Sequence, residues 1–328
     1  MPNNVTDFKN MQQLLNEAQT IAIAMHVRPD GDCIGTAAAL RLSLIEQGKD
    51  VSVFIDSGPP SYLDYVDGIQ TFIVQESDET VDQSFDLLVI VDTCDKQRIG
   101  GSKHLLTSAK KTLMFDHHLN PTMPVDTLVS NPNRSSTGEM MFEYFVKHGV
   151  RITGAMAAAL YTAISSDTGC FLFPNTTAYS HHAASELLKI GIDLAHINYQ
   201  NFRVYDPKKL YGLQRVLDNI TFINDGRIAV TYLSYYLVQK FKFTNEDRHL
   251  FQKFATDASG VQVSLCFTEQ EKGTFNVSLR SHGNVNVAQI AGTFGGGGHK
   301  NAAGVTMEGR YKYVMRQLVA EVEKHLVT

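Results

Sequence analysis

The chain has 328 residues, of which 43% are hydrophobic and 19% charged, and its net charge is −5. This length buries a sizeable core and predicts two domains, and the charge balance excludes a disordered chain. No lysine- or arginine-rich run offers a track for long nucleic acid, and no apolar run approaches the ~20 residues of a membrane span. The polar start Met1-Pro2-Asn3-Asn4 is no signal peptide, so a cytoplasmic protein without membrane association is expected.

Phe8, Met11, Leu14, Leu15 and Ala18 have helical spacing within residues 7–19. Thr20 to Met25 reads as a strand ending in His26-Val27-Arg28-Pro29-Asp30-Gly31-Asp32. A helix follows from Cys33 to Gln47, closed by Gly48. Strands are expected at 51–55, 85–91 and 111–115, the last two running into Asp92 and Asp116-His117-His118. Ser136-Thr137-Gly138-Glu139 opens a helix with a capping box, and further helices are expected at 153–166, ahead of Asp167, and at 177–190. Strands alternating with helices predict a parallel sheet with crossover connections. Residues 191–207 read as a linker. Beyond it, strands at 219–224, 227–233, 260–268 and 274–281, with helices near 245–257 and 311–326, predict a smaller α/β domain with a mixed sheet.

The chemistry sits at the element ends. His26, Asp30 and Asp32 occupy a strand-to-helix loop in which Gly31 permits a sharp bend. Either aspartate is equally well a helix cap or a ligand. Asp92 and Asp167 taken singly have structural readings, as a strand end and a turn. Adjacent histidines beside Asp116 rarely form a satisfied core. Together these carboxylates would repel one another and raise their own pKa values, which divalent cations would relieve. Mixed oxygen and nitrogen ligands favour two Mn²⁺ ions, with Co²⁺ or Mg²⁺ as alternatives. Two ions sharing a carboxylate and a water would serve hydrolysis of a phosphate ester or anhydride. Cys33, Cys94, Cys170 and Cys266 form no CxxC pair, although three lie within three residues of these aspartates. A zinc–thiolate set is therefore the alternative to reduced, half-buried thiols.

His26-x-x-x-Asp30-x-Asp32, Val91-Asp92, Asp116-His117-His118 and Asp167 resemble the four motifs of the DHH phosphoesterases. Gly295-Gly296-Gly297-Gly298-His299-x-x-Ala302-Ala303-Gly304 resembles the signature of the DHH-associated C-terminal domain. The likeness spans nearly the whole chain and is greatest for the nanoRNase/pAp phosphatases and the stand-alone cyclic-di-AMP/pApA phosphodiesterases. It implies an α/β architecture with a parallel-sheet DHH domain at 1–190, a linker at 191–207, a substrate-binding domain at 208–328, and an active site in the cleft between domains. It also implies one metal on His26, Asp30 and Asp92 and a second on Asp32, Asp92, His117 and Asp167. His118 would face the substrate phosphate, and Asp116 would orient a histidine.

In the second domain, Gly296, Gly297, Gly298 and His299, leading into a helix start at Ala302, suit a phosphate or nucleobase cradle or else a flexible loop. Arg280 alone reads as a strand-end surface arginine, and the resemblance implies that it pairs with a phosphate of the substrate. Asn133-Arg134-Ser135-Ser136 offers a further phosphate contact or merely a helix cap, and His181-His182 reads as surface. The expected function is Mn²⁺-dependent hydrolysis of short RNA or linear dinucleotides such as pApA to nucleoside 5′-monophosphates, and of pAp to AMP. Cyclic-di-AMP hydrolysis is the alternative. Inorganic pyrophosphatase and a non-catalytic nucleotide sensor are lesser readings. The resemblance also implies a homodimer.

Overall fold

Six strands of the first sheet, β1 (Thr20–Ala24), β2 (Asp50–Ile55), β3 (Ile73–Val74), β4 (Leu87–Val91), β5 (Lys111–Asp116) and β6 (Thr127–Ser130), lie in the order β3-β2-β1-β4-β5-β6 among the described residues. Every neighbouring pair is parallel. The computed structural model describes residues 8–75, 84–119, 121–204 and 206–326. The chain divides into two compact units, parting after Val204.

In the first unit the helices are α1 (Phe8–Glu17), α2 (Gly31–Glu46), α3 (Leu105–Ser108), α4 (Thr137–Lys147), α5 (Gly154–Asp167), α6 (Ala178–Lys189) and α7 (Leu194–Phe202). Ile21, Ile23, Val89, Val91, Leu113 and Phe115 point to one sheet face and pack with α1, α2, α4 and α5. Ala22, Ala24, Leu88, Ile90 and Met114 point to the other, where Ile99 and Leu105 cover them. Burial on both faces explains why these strands are continuously apolar rather than alternating. The strand order reverses direction between β1 and β4, and open α/β sheets bind ligands outside the carboxyl ends of strands at such a point.

Helix α2 and helix α5 approach closely because Gly31 and Gly35 face α5. A Cβ on Gly35 would lie 2.3 Å from the Ala159 carbonyl oxygen, and one on Gly31 2.6 Å from the Ser166 Cβ. This contact joins the start of α2 to the end of α5, and so relates Asp32 to Asp167.

The second unit contains α8 (Pro207–Leu217), α9 (Tyr235–Phe241), α10 (Asn245–Thr256), α11 (Val287–Gly292) and α12 (Tyr311–Glu323). Its strands are β7 (Thr221–Ile223), β8 (Ile228–Leu233), β9 (Val263–Glu271), β10 (Thr274–Ser281), β11 (Gly297–His299) and β12 (Ala302–Glu308), in the order β11-β12-β10-β9-β8-β7. The β8–β9 pair is parallel and the others antiparallel. Val263, Leu265, Val277, Leu279 and Val305 form a core with α11 and α12. The opposite face is mixed and meets α10, where Leu233 and Cys266 pack with Phe251 and the Gln252 amide donates to the Ser278 carbonyl at 3.0 Å.

Several expectations are corrected. Residues 191–207 hold helix α7 and the start of α8, not only a linker. Asp193 caps α7, Ile197 is buried, and the Tyr65 hydroxyl donates to Asn201 Oδ1 at 2.9 Å. Asp206 and Pro207 form an N-cap and first-turn pair that starts α8. Ala302-Ala303-Gly304 begins a strand rather than a helix, because Ala303, Val305 and Met307 alternate into the core. The capping box at Ser136 is half-formed: its hydroxyl accepts from the Glu139 amide, but the Glu139 carboxylate is taken by Ser135 and Ser180.

Gly35→Ala tests the α2–α5 contact. Alanine gains up to about 1 kcal/mol of helix propensity, while overpacking against the Ala159 backbone costs about 1–3 kcal/mol. The melting midpoint of the full chain should fall; a rise would show that the helices have room to spare.

Candidate metal centre

The loop after β1, the end of β4 and the end of β5 lie side by side, because these three strands are neighbours in the sheet. His26 follows β1, Asp92 follows β4, and Asp116 closes β5. Asp92 has φ 59°, a left-handed conformation that aspartate tolerates better than most residues, and such local strain gathers at functional sites. Asp30 is the N-cap of α2, and its Oδ1 accepts from the amides of Asp32 and Cys33 at 3.0 and 3.2 Å. The choice between cap and ligand is not forced, since Oδ2 turns to His26 Nε2 at 3.6 Å.

Asp32 is held from below by the N-terminus of α4. Both its oxygens accept amide hydrogens at 2.8 Å, from Thr137 and from Gly138. The Thr137 hydroxyl donates to Asp92 Oδ1, also at 2.8 Å. Helix N-termini favour negative charge, so α4 fixes two carboxylates that would otherwise push apart. Gly138 is required: a Cβ there would lie 2.3 Å from the Ala163 Cβ and 3.3 Å from Asp32 Oδ1. The capping-box pattern at Ser136–Glu139 carries no signal for this clamp, which is made by backbone amides.

The histidines are oriented from behind. His26 Nδ1 donates to the Val27 carbonyl at 2.9 Å and His117 Nδ1 to the Arg134 carbonyl at 3.2 Å, which turns each Nε2 toward the acids. His26 Nε2 is 3.4 Å from Asp92. His117 Nε2 is 3.9, 3.7 and 3.6 Å from Asp32, Asp92 and Asp167. These separations exceed the ~3.2 Å limit of an ordinary hydrogen bond. They suit ligands sharing an ion through bonds of about 2.0–2.2 Å.

Three overlapping groups result: His26, Asp30, Cys33 and Asp92; Asp92, His117 and His118; and Asp32, His117 and Asp167. Within each, the ligand atoms lie within 4.8 Å of one another. The structure thus brings the six residues expected as ligands into one cluster, and it adds Cys33 and His118. Asp116 belongs to none of these groups. Its Oδ1 lies 2.7 Å from His118 Nδ1.

The electrostatics call for cations. Burial, together with Asp92, Asp167 and Asp30, pushes the Asp32 pKa up, opposed by the Gly138 amide. Burial likewise raises Asp167 to about 6, against the pull of His117. Burial also opposes ionisation of Asp30, but its hydrogen bond and charge interaction with His26 win and hold it low. Burial works against charging His26, yet Cys33, Asp30 and Asp92 lift it well above the imidazole range. Burial pushes the Cys33 thiol itself up to about 12. The hydrogen bond that His118 donates to the Asp116 carboxylate raises the His118 pKa, against burial. Among the described residues no lysine or arginine forms an ion pair with Asp30, Asp32, Asp92 or Asp167. The donor set fits divalent ions, which supply the missing positive charge.

Arg134 is engaged within the first unit. It makes two bonds to Glu143, at 2.9 and 2.8 Å, and lies over the Tyr179 ring. His181 and His182 are exposed, His181 stacking on Phe171. In the second unit, Gly296 and Gly298 are explained by packing, since a Cβ on either would lie within 2.4 Å of a β12 carbonyl oxygen. Gly296 also lines a cavity of about 540 Å³ with Arg248, Gln252, Thr268, Asn276 and Ser278. Arg280, Gly297, Gly298 and His299 are outside its lining. Arg280, half-buried, shares the sheet face of Asn276 and Ser278.

Residues 20–164 match the DHH family, N-terminal domain, and residues 229–327 match the DHHA1 domain. The bifunctional oligoribonuclease and PAP phosphatase NrnA of Thermus thermophilus is 31% identical over 296 residues, covering 88% of this chain and 84% of that protein. This chain belongs to the DHH family. A second DHH relative, the probable bifunctional oligoribonuclease and PAP phosphatase NrnA of Streptococcus mutans, is 27% identical and covers 92% of this chain and 93% of its own. The crystal structure of an exopolyphosphatase-related protein from Bacteroides fragilis superposes with a TM-score of 0.87 at 27% identity, covering 97% of this chain and 95% of that one.

Asp92→Asn keeps a side chain that tolerates left-handed backbone and can still accept from Thr137, but it removes a charge from the cluster. Mn²⁺ should raise the melting midpoint of the wild type and leave that of Asp92→Asn unmoved, while the ion-free variant melts at or above the ion-free wild type. An equal Mn²⁺ response in both would remove Asp92 from the centre.

Proposed function

We infer that this DHH-family phosphoesterase hydrolyses very short RNA and linear dinucleotides to nucleoside 5′-monophosphates, and pAp to AMP, with two divalent ions, Mn²⁺ first among them. The observation that carries this is the cluster of four aspartates and two histidines gathered from the carboxyl ends of β1, β4 and β5, the start of α2 and the end of α5, with no pairing lysine or arginine among the described residues. His26, Asp30 and Asp92 would hold one ion, and Asp32, Asp92, His117 and Asp167 the other. Bound there, divalent ions supply Lewis-acid activation of water and neutralise phosphate charge.

The chain's own residues supply the rest. Asp116 holds His118 by the 2.7 Å hydrogen bond and favours its protonated form. His118 is thereby a donor for the leaving oxygen of the cleaved ester. The α4 N-terminus keeps Asp32 and Asp92 in place without protein cations, which would compete with the ions. In the second unit, Arg280 and the Gly297–His299 edge are positioned on the mixed sheet face, and a guanidinium suits a phosphate remote from the cleaved bond. The relatives named NrnA support short RNA and pAp as substrate classes.

Turnover of pAp, pApA, very short RNA, cyclic di-AMP and pyrophosphate, with and without Mn²⁺, tests this reading. The first three should be hydrolysed only with the ion, and pyrophosphate should be left intact. Preferred cleavage of pyrophosphate or of cyclic di-AMP would overturn the assignment. In the same assay Arg280→Ala should raise KM for pAp about ten- to a hundredfold, the loss of a charge-assisted hydrogen bond, with Mn²⁺ content unchanged.

A further inference from the structure

Cys33 is a buried thiol that the phosphoesterase reading leaves without a role. It is wholly excluded from solvent in the first turn of α2. Its sulfur falls in one group with the ligand atoms of His26, Asp30 and Asp92. Asp30 and Cys33 are linked reciprocally: the Asp30 carboxylate accepts from the Cys33 amide, and the Asp30 amide donates to the Cys33 sulfur at 3.2 Å. The reciprocal cap therefore presents both an oxygen and a sulfur toward His26. The group formed by Asp32, His117 and Asp167 contains no sulfur. Cys94, Cys170 and Cys266 join no such group among the described residues.

We propose that Cys33 is a ligand of the ion held by His26, Asp30 and Asp92, so that the centre is chemically asymmetric. One position offers nitrogen, oxygen and sulfur and suits borderline or soft dications such as Zn²⁺, Co²⁺ or Cd²⁺; the other offers nitrogen and oxygen alone. This rests on the cluster being a two-ion centre. Bonds of about 2.3 Å to sulfur and about 2.0–2.1 Å to nitrogen place two ligand atoms roughly 3 to 4.4 Å apart across one ion. The group closes to that span with small side-chain movements. Coordination forms one sulfur–metal bond and releases the thiol proton to solvent, with no change in oxidation state.

A thiol that only caps the helix predicts no spectroscopic trace of sulfur, which makes the two roles separable. The full chain, reduced and metal-free, is titrated with Co²⁺. Visible d–d bands report ion binding, and a near-ultraviolet thiolate-to-cobalt charge-transfer band reports sulfur. The wild type should show both, with the charge-transfer band saturating at one ion per chain. Cys33→Ser keeps a hydrogen-bonding atom for the Asp30 amide and should retain the d–d bands while losing the charge-transfer band. Should Cys33→Ser fold poorly, a chain carrying Cys94→Ser, Cys170→Ser and Cys266→Ser, with Cys33 as its one cysteine, must keep the band. A charge-transfer band that persists in Cys33→Ser, or that vanishes from the Cys33-only chain, overturns the proposal. So do d–d bands without charge transfer in the wild type, a result that leaves the two-ion centre standing. Loss of both signals in the wild type removes the centre itself, and Cys33 with it.

Discussion

The amides of Thr137 and Gly138 on the Asp32 carboxylate, with the Thr137 hydroxyl on Asp92, are the constraint on which the site depends. Asp32 and Asp92 are 1% and 2% exposed, so they lack the solvent that usually screens like charges. A helix N-terminus holds them without bringing in a competing cation. That arrangement in turn requires α4 to start against the end of α5, and it requires glycine at 138 where a side chain would strike Ala163. The geometry of the acidic cluster is thus written into helix packing well below it.

Much of this was legible in the sequence because it sits at element ends. The apolar runs before His26, Asp92 and Asp116 announced buried strands. The sequence predicted a parallel sheet but not its strand order; that β1, β4 and β5 are neighbours, and that the order reverses at β1 and β4, is seen only in the structure. The Thr137–Gly138 clamp was not legible, because a backbone amide carries no residue signature and the serine beside it reads as an ordinary cap. Cys33 was noticed only by its distance along the chain from the aspartates. The sequence did not reveal that its sulfur folds back over the cap toward His26.

The second unit was less well read. A four-glycine run looked like a cradle leading into a helix, yet Gly296 and Gly298 are fixed by close approach to the β12 backbone, and the chain continues as a strand. Short alternation over Ala303, Val305 and Met307 was masked by the small residues before it. Helices α8 and α9 went unrecognised because exposed side chains such as Tyr211 and Tyr236 obscure their apolar faces. Arg248, Gln252 and Asn276, which line the cavity beside Gly296, come from a helix and a strand with no motif to join them.

Buried carboxylates, neutral backs and histidines turned by carbonyls make one coherent object only if ions complete it. The direct test is the number of Mn²⁺ ions bound per chain at saturation, measured by equilibrium dialysis of metal-free protein. Two are expected. One ion, or none, would contradict the two-ion centre.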